Sequence, residues 1–507
     1  MIKKIINLKN IKKVIDRDKN YKKKIVLCHG VFDIIHSGHI SYFNSSKKNG
    51  DILVVSVTPK KFVEKGFNRP LFNDIQRVSF LSNLSIIDYV VLNNTKNAED
   101  VIKRVKPDFY CKGPDYKNLK QDITGQIKNE TNLVKSYGGK VIFTEDETFS
   151  SSKIINKFGA TVNHEQKTFL NKLRSKENIE KKLVNLKDLS NLNVLVIGEI
   201  IIDKYVFSES IGKSGKEPHL VIKELDEKIF LGGAGAVANH ISGFCKKINL
   251  ISSIGHKKEY IKFIKKNLAK NIKTNFLFKK KSPTIEKKRY LDKVSNTKIL
   301  GVYNLNDNKL DATQEKLFKK YITDKIKKAD LVIVSDYGHG FISKGVSKLI
   351  CNKAKFLALN TQINAFNTGY HSLKKYQKVD FLIINEKELR YELREKDLKI
   401  EQLIKKAINH SKIKNLMLTR GKNGSVFYSK KTSKFYYCPA FASKVVDKVG
   451  AGDTMLSIVA PLIKNNFDIK FSMFIGALSA AQSVESISNS LILDKLKLIK
   501  YTKYMLK

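Results

Sequence analysis

The stretch KIVLCHGVFDIIHSGH, residues 24–39, decides how the first third of the chain is read. Its first half is an apolar run of the kind that forms a buried strand. Gly30 closes that run, the second half carries His36, Gly38 and His39, and the spacing puts both imidazoles on one helical turn. A strand running through glycine into a helix start suits phosphate. Glycine lets an anion approach the backbone, and the helix start offers unpaired N–H groups and a positive dipole end. By itself an H-x-x-H pair fits a plain helix start or a zinc site as well as a triphosphate cradle.

Working outward, strand signals recur at 51–58, 87–93, 108–113 and 140–146. Helix-like stretches at 37–49, 72–84, 97–106 and 123–138 separate them, and residues 1–20 resemble a short amphipathic helix. This alternation predicts a parallel sheet covered on both faces. Residues 161–190 are highly charged and lack a strand, so a helical linker is expected there. Strands resume at NVLVIGEIIID (193–203) and recur at 219–225, 249–255, 331–337, 356–362, 381–386, 415–421 and 425–432. The expected α/β organisation is an extension over 1–23, a Rossmann-like domain over 24–160, the linker over 161–190 and a second α/β domain over 191–507.

Composition bounds the rest. Over 507 residues, 42% are apolar and 28% charged, which excludes collagen-like, mucin-like and disordered chains. The net charge of +47 raises a nucleic-acid reading, yet only nine of the 95 basic residues are arginine and the lysines run through every segment. Such a spread reads as solvated faces rather than a binding stripe, although it concentrates phosphate near clefts. Cysteines at 28, 111, 245, 351 and 438 form no C-x-x-C pair, which predicts a reducing, cytoplasmic setting. No apolar run suits a signal peptide or a spanning helix, so neither a membrane nor a nucleic-acid partner is expected.

A second chemical signature is VVDKVGAGDT, residues 445–454, placed before a long helix. Gly450, Ala451 and Gly452 would form an anion hole of backbone N–H groups, and Asp453 just inside could take a proton from a hydroxyl. A bare G-A-G-D is equally an ordinary glycine-rich turn.

The company of these motifs supplies the resemblance. Gly30, Phe32, Asp33, His36, Gly38 and His39, with Lys65, Arg69 and Arg77, then Lys112-Gly113 and Asp115-Tyr116, then Ser150, Ser151 and Ser152, resemble in order the cytidylyltransferase-like nucleotidyltransferases. The resemblance implies that His36 and His39 grip a nucleoside triphosphate and stabilise transfer at its α-phosphorus. It implies that Lys65 and Arg69 neutralise phosphate, that Gly30, Phe32, Lys112 and Asp115 line the nucleotide site, and that Ser150–Ser152 meet phosphate or cap a helix. One departure is Thr58-Pro59-Lys60-Lys61, where heptose-type members carry an asparagine and an aspartate.

The second half resembles the ribokinase-like sugar kinases. That resemblance implies Asp453 as the base and Gly450, Ala451 and Gly452 as the anion hole. Asp203, Gly232, Gly233, Asn239, Asp336 and Arg289 would meet the sugar phosphate. Thr419, Gly421 and Gly424 would form the nucleotide turn, and Asn385 and Glu388 would organise Mg2+.

The pairing resembles the bifunctional enzymes of nucleotide-activated heptose synthesis, with the order of the two domains reversed. It implies phosphorylation of a heptose 7-phosphate at C1 with ATP and Mg2+, and nucleotidyl transfer to a sugar 1-phosphate. The partners implied are sugar phosphates and nucleotides, with a homodimer through the kinase domain. The alternative keeps both reactions and changes the substrate to another phosphosugar or polyol phosphate, with CTP as a possible donor.

Overall fold

The computed structural model describes residues 4–63, 69–113, 126–145, 162–174, 183, 185–186, 188–363, 367 and 372–506. By compactness the chain divides into one unit of Met1–Asn163 with Ile499–Lys507 and another of His164–Leu498. The expected boundary thus shifts in two ways. Helix-forming residues assigned to a linker belong to the second unit, and the last nine residues group with the first.

The first unit holds β1 (Ile25–Gly30), β2 (Ile52–Val57), β3 (Tyr89–Leu92), β4 (Phe109–Lys112) and β5 (Lys140–Phe143). Its helices are α1 (Ile11–Asn20), α2 (Ser37–Lys47), α3 (Asp74–Ser82), α4 (Glu99–Val105) and α5 (Gln126–Ser136). The strands pair in parallel in the order β3-β2-β1-β4-β5. β1 is central and buried on both faces. Val26 and Cys28 pack with Phe43 and Val55, while Ile25 and Leu27 pack with Ile11, Ile15 and Val101. That two-sided burial explains the unbroken apolar run. Chain order reverses at β1, and the crevice beyond the ends of β1 and β4 is where open α/β sheets take ligands.

The N-terminal extension proves part of this domain. The Ile6 N–H donates to Val90 O and the Val90 N–H to Lys4 O, both at 2.9 Å, so the segment lies along the sheet edge beside β3. Ile11 and Ile15 of α1 are wholly buried. Each such side chain contributes about 1.5–3 kcal/mol.

The second unit has two sheets. Its strands are β6 (Asn193–Gly198), β7 (Ile200–Lys213), β8 (Leu220–Gly233), β9 (Lys247–Gly255), β10 (Ile272–Lys279), β11 (Glu286–Asp292) and β12 (Lys298–Asn304). There follow β13 (Leu331–Asp336), β14 (Leu357–Thr361), β15 (Val379–Asn385), β16 (Ile413–Thr419), β17 (Ser425–Ser429) and β18 (Lys434–Cys438). The helices are α6 (His164–Arg174), α7 (Ala234–Ser242), α8 (Ile261–Asn267), α9 (Ala312–Lys328), α10 (Lys344–Lys353), α11 (Glu386–Leu393), α12 (Ile400–Ser411), α13 (Ala451–Lys464) and α14 (Ile469–Val484), while α15 (Lys495–Met505) runs across the division at Ile499.

The large sheet runs β10-β9-β6-β13-β14-β15-β16-β17-β18, parallel from β10 to β16 and antiparallel at the β17–β18 edge. The small sheet, β12-β11-β7-β8, is built on the long β7–β8 hairpin. The single strand expected over 193–203 is two strands that part at Glu199, one entering each sheet. Order in the large sheet reverses at β6, with β9 and β10 on one side and β13 to β16 on the other. Each unit therefore presents its own reversal crevice.

Candidate active sites

In the first unit, β1 ends at Gly30, where a Cβ would press on the Phe32 ring. Phe32 adopts φ 47°, a left-handed conformation rare for an aromatic residue, and turns the chain toward α2. His36 is the extended residue before α2 and His39 lies one turn on, its N–H donating to His36 O at 2.8 Å. Their rings stack with centroids 3.9 Å apart, and Phe32 meets His39 edge-on at 5.4 Å. Both ring nitrogens of His36 are shielded from solvent and have no hydrogen-bond partner among the described residues. Partial burial lowers its pKa, so a neutral imidazole faces the crevice. A shielded, unpartnered polar group beside a helix N-terminus suits an anion.

Arg69 departs from expectation. Its Nε lies 2.7 Å from Asp33 Oδ2, and both side chains are 1% exposed. Asp33 also accepts from the Phe72 N–H at 3.2 Å. Arg69 therefore fastens the turn after β1 through its Nε. Arg77 does similar work, donating to Val31 O at 2.6 Å and to Asp74 Oδ1 at 2.5 Å.

Lys112 ends β4 beside the crevice but pairs with Glu130 at 3.1 Å, and Glu130 also accepts from Tyr110 and from the Ala98 N–H. Lys112 is thus partly a scaffold residue, correcting a role given only to nucleotide. Sequence reasoning passed over His29. Its ring nitrogens meet Ser56 Oγ at 3.1 Å and Thr58 Oγ1 at 3.2 Å, and burial, then the Lys112 charge, push its pKa down to about 3. Lys65, Asp115 and Ser150–Ser152 lie outside the described residues.

In the second unit, α13 starts beside Tyr337, the residue that follows β13. Gly450 has φ 88°, and a Cβ there would run into the Asn489 amide. Gly452 is exposed and a Cβ on it would meet nothing within 4 Å, so the space over the helix start is open. Asp453 follows in the first turn, accepting from the Tyr337 hydroxyl at 2.7 Å. The carboxylate is crowded by protein yet keeps an open side. Loss of water raises its pKa to about 7 despite the Tyr337 hydrogen bond; Asp203 adds to the rise and Lys287 opposes it.

The sugar-side residues divide. Asp203 of β7 pairs with Arg289 of β11 at 2.5 Å, and a side chain at Gly232 would collide with the Asp203 carboxylate. Gly233, with φ 60°, opens α7. These four come together.

Asn239 does not join them. Its amide donates to Asn267 O at 2.8 Å and accepts from the Ala269 N–H at 3.0 Å, tying α7 to the loop after α8. Asp336 is also corrected. Its oxygens accept from the Gly338 N–H at 3.1 Å, from the Tyr376 hydroxyl at 2.6 Å and from Lys375 at 2.6 Å, and it is 1% exposed. It anchors the loop after β13.

The expected metal pair forms a reciprocal helix cap. Asn385 Oδ1 accepts from the Lys387 N–H at 3.0 Å, its Nδ2 donates to Thr419 O at 3.2 Å, and Glu388 accepts from the Asn385 N–H at 3.1 Å. With those oxygens so used, the pair does not make a ready metal centre, and no metal-holding group of His, Cys, Asp and Glu is present among the described residues. Glu388, raised to about 7 mainly by burial, adds acidity near Asp453. Thr419, Gly421 and Gly424 form a tight turn, with the Arg420 N–H donating to Gly424 O at 2.8 Å and positive φ at both glycines.

Three further residues belong to this site. Glu199 accepts from the Tyr337 and His339 N–H groups, each at 3.1 Å. Asp447 takes Tyr205 at 2.6 Å and Lys298 at 2.7 Å. Lys287 of β11 is buried over the Tyr303 and Tyr337 rings. A carboxylate or ammonium placed just past or within an apolar strand was the available signal.

These two crevices, each with a helix start and polar side chains at a strand-order reversal, define a chain of two nucleotide-type α/β transferase units. Residues 191–495 match the pfkB family carbohydrate kinase model, more than half of the chain, and the chain belongs to that family. Residues 27–157 match the Cytidylyltransferase-like model, so the transferase-type unit precedes the kinase.

The Bifunctional protein HldE of a Nitratiruptor species is 27% identical over 303 residues, 58% of this chain and 62% of that one. The Bifunctional protein HldE of Helicobacter pylori is 35% identical over 162 residues, 32% of each. The chain thus spans less than two thirds of the length of these curated relatives in either match. Phosphofructokinase-2 from Escherichia coli in complex with potassium shares the fold at a TM-score of 0.51 and 12% identity, covering 62% of this chain and 99% of that structure. No helix among the described residues is long and apolar enough to cross a membrane.

Proposed function

We propose that the chain is a bifunctional enzyme that phosphorylates a heptose 7-phosphate at C1 with ATP and transfers AMP from ATP to the resulting sugar's 1-phosphate once the 7-phosphate has been removed. The observation that carries the reading is one chain joining a pfkB kinase to a cytidylyltransferase-like unit, as relatives named for a bifunctional protein would. The sugar's identity rests on those relatives.

In the kinase half, the C1 hydroxyl gives its proton to Asp453 as its oxygen attacks the γ-phosphorus of ATP, and ADP leaves. The N–H groups at the start of α13 hold the charge that gathers on the transferred phosphoryl. The Asp203–Arg289 pair and Gly232 form the sugar side, while the Thr419–Gly424 turn takes the nucleotide. Mg2+ accompanying ATP would screen phosphate charge. In the transferase half, an oxygen of the sugar 1-phosphate attacks the α-phosphorus and pyrophosphate leaves. Neutral His36 and its stacked neighbour His39 donate to the phosphate oxygens as charge builds there. A homodimer through the kinase unit accompanies this reading.

A panel of sugar phosphates, each incubated with ATP and with CTP and resolved by mass, tests the proposal. ADP-sugar formed from heptose 1-phosphate supports it. D453N should abolish phosphorylation and spare nucleotidyl transfer, and H36A with H39A should do the reverse. Turnover confined to another phosphosugar, or to CTP, would replace it with the second reading. One observation favours that reading: Thr58, standing where an asparagine is expected after β2, has its hydroxyl engaged by His29.

A further inference from the structure

Tyr337 sits just past β13, beside the reversal crevice of the second unit, and it is buried. Four contacts fix it. Its N–H donates to Glu199 Oε2 at 3.1 Å, and its carbonyl accepts from Asn367 Nδ2 at 2.8 Å. Its ring packs with Ile201 and Ile285. The Lys287 ammonium stands over that ring, 5.7 Å from the centroid. So held, the phenol donates to Asp453 Oδ1 at 2.7 Å. Asp453 Oδ2 takes no hydrogen bond from the described residues.

The charges facing Asp453 come from four elements. Tyr337 approaches from the loop after β13, Asp203 from β7, Lys287 from β11 and Glu388 from α11. The two carboxylates oppose ionisation of Asp453. The phenol and the ammonium favour it, since a donor or a cation beside a carboxylate stabilises its charged form.

We propose that Tyr337, steadied by Lys287, is the positioning residue of the kinase base: it orients the Asp453 carboxylate through Oδ1 and stabilises its ionised form, leaving Oδ2 to receive the proton of the substrate hydroxyl. The inference rests on the kinase reading above. A phenol suits the task. It donates to a carboxylate without competing for the proton, because its own ionisation is pushed well above the ordinary range by burial and by Asp453.

The test uses the full-length chain as wild type, Y337F, K287M, K287R and D453N. Phosphorylation kcat/KM is measured from pH 5.5 to 9. Carboxyl resonances of 13C-aspartate-labelled protein are titrated alongside, with D453N assigning the Asp453 signal. In Y337F the acid limb and the Asp453 midpoint should both move up by about one pH unit, which is about tenfold in kcat/KM below the limb. The loss at pH 9 should be smaller. K287M should shift the same way and K287R should restore the profile. Equal loss at every pH, with an unmoved Asp453 midpoint, overturns the proposal. Failure of the wild type to phosphorylate any sugar phosphate would count against the kinase reading, and the carboxyl titration would still decide the role of Tyr337.

Discussion

Removing the Arg69 guanidinium should break the first unit by destabilising it and not by emptying its nucleotide site. The pair it forms with Asp33 is shut away, 1% exposed on each side at 2.7 Å. R69L leaves an uncompensated carboxylate in that place, and stranding one partner of a buried ion pair costs about 3–5 kcal/mol. The chain has no tryptophan, so F80W, on a ring of α3 that is 43% exposed, would report the first unit alone. With a urea slope of about 2 kcal/mol/M, R69L in that background should lower the midpoint by roughly 1.5–2.5 M. The double variant D33L/R69L, which removes both charges, should recover most of the loss. The folded fraction of R69L should bind nucleotide with nearly wild-type affinity. An unchanged midpoint with nucleotide affinity down tenfold or more would refute the argument and return Arg69 to the phosphate.

Two glycines of one motif should behave oppositely. G452A meets no neighbour and should keep the wild-type melting temperature while raising the KM for ATP severalfold; G450A, forced to φ 88° against Asn489, should lose about 1–3 kcal/mol in a denaturant melt. The two half-reactions should separate by pH. With Asp453 at about 7 and His36 below its ordinary value, phosphorylation should fall about fivefold between pH 7 and pH 6, whereas nucleotidyl transfer, followed by pyrophosphate release, should change less than threefold. Stability carries the matching sign. Asp453 holds its proton more tightly folded than unfolded, so its contribution is complete below about pH 4 and fades as pH rises from there through 7; D453N should gain melting temperature over wild type at pH 8 and little at pH 4.

Much of this was legible in the chain itself. β1 could be read because both of its faces are buried, which leaves a run with no polar break. The starts of α2 and α13 were readable because glycine and small residues there answer a backbone need. What escaped was the choice among like residues. Arg69 and Lys65 look alike on paper, yet the partner that engages Arg69, Asp33, lies 36 positions away and is fixed only by tertiary packing. Asn239, Asp336 and Asn385 follow the same logic. Each has a polar group suited to a ligand, and each spends it on backbone or a neighbouring side chain. The small sheet was partly missed because β11 opens on four consecutive charged residues, Glu286 to Arg289, and β12 shows no polar–apolar alternation, weak strand signals in so lysine-rich a chain. Glu199 was overlooked since a single acid inside an apolar stretch reads as an interruption rather than the corner where two sheets diverge.

The first unit draws its residues from both ends of the chain, since Ile499–Lys507 group with Met1–Asn163. During synthesis every residue of the kinase unit leaves the ribosome before the transferase unit has received its full complement. An expression clone cut to the 27–157 family match would also lose the strip along β3 and the α1 isoleucines, so a soluble transferase fragment should start near residue 4 and be supplied with the last nine residues as a separate peptide.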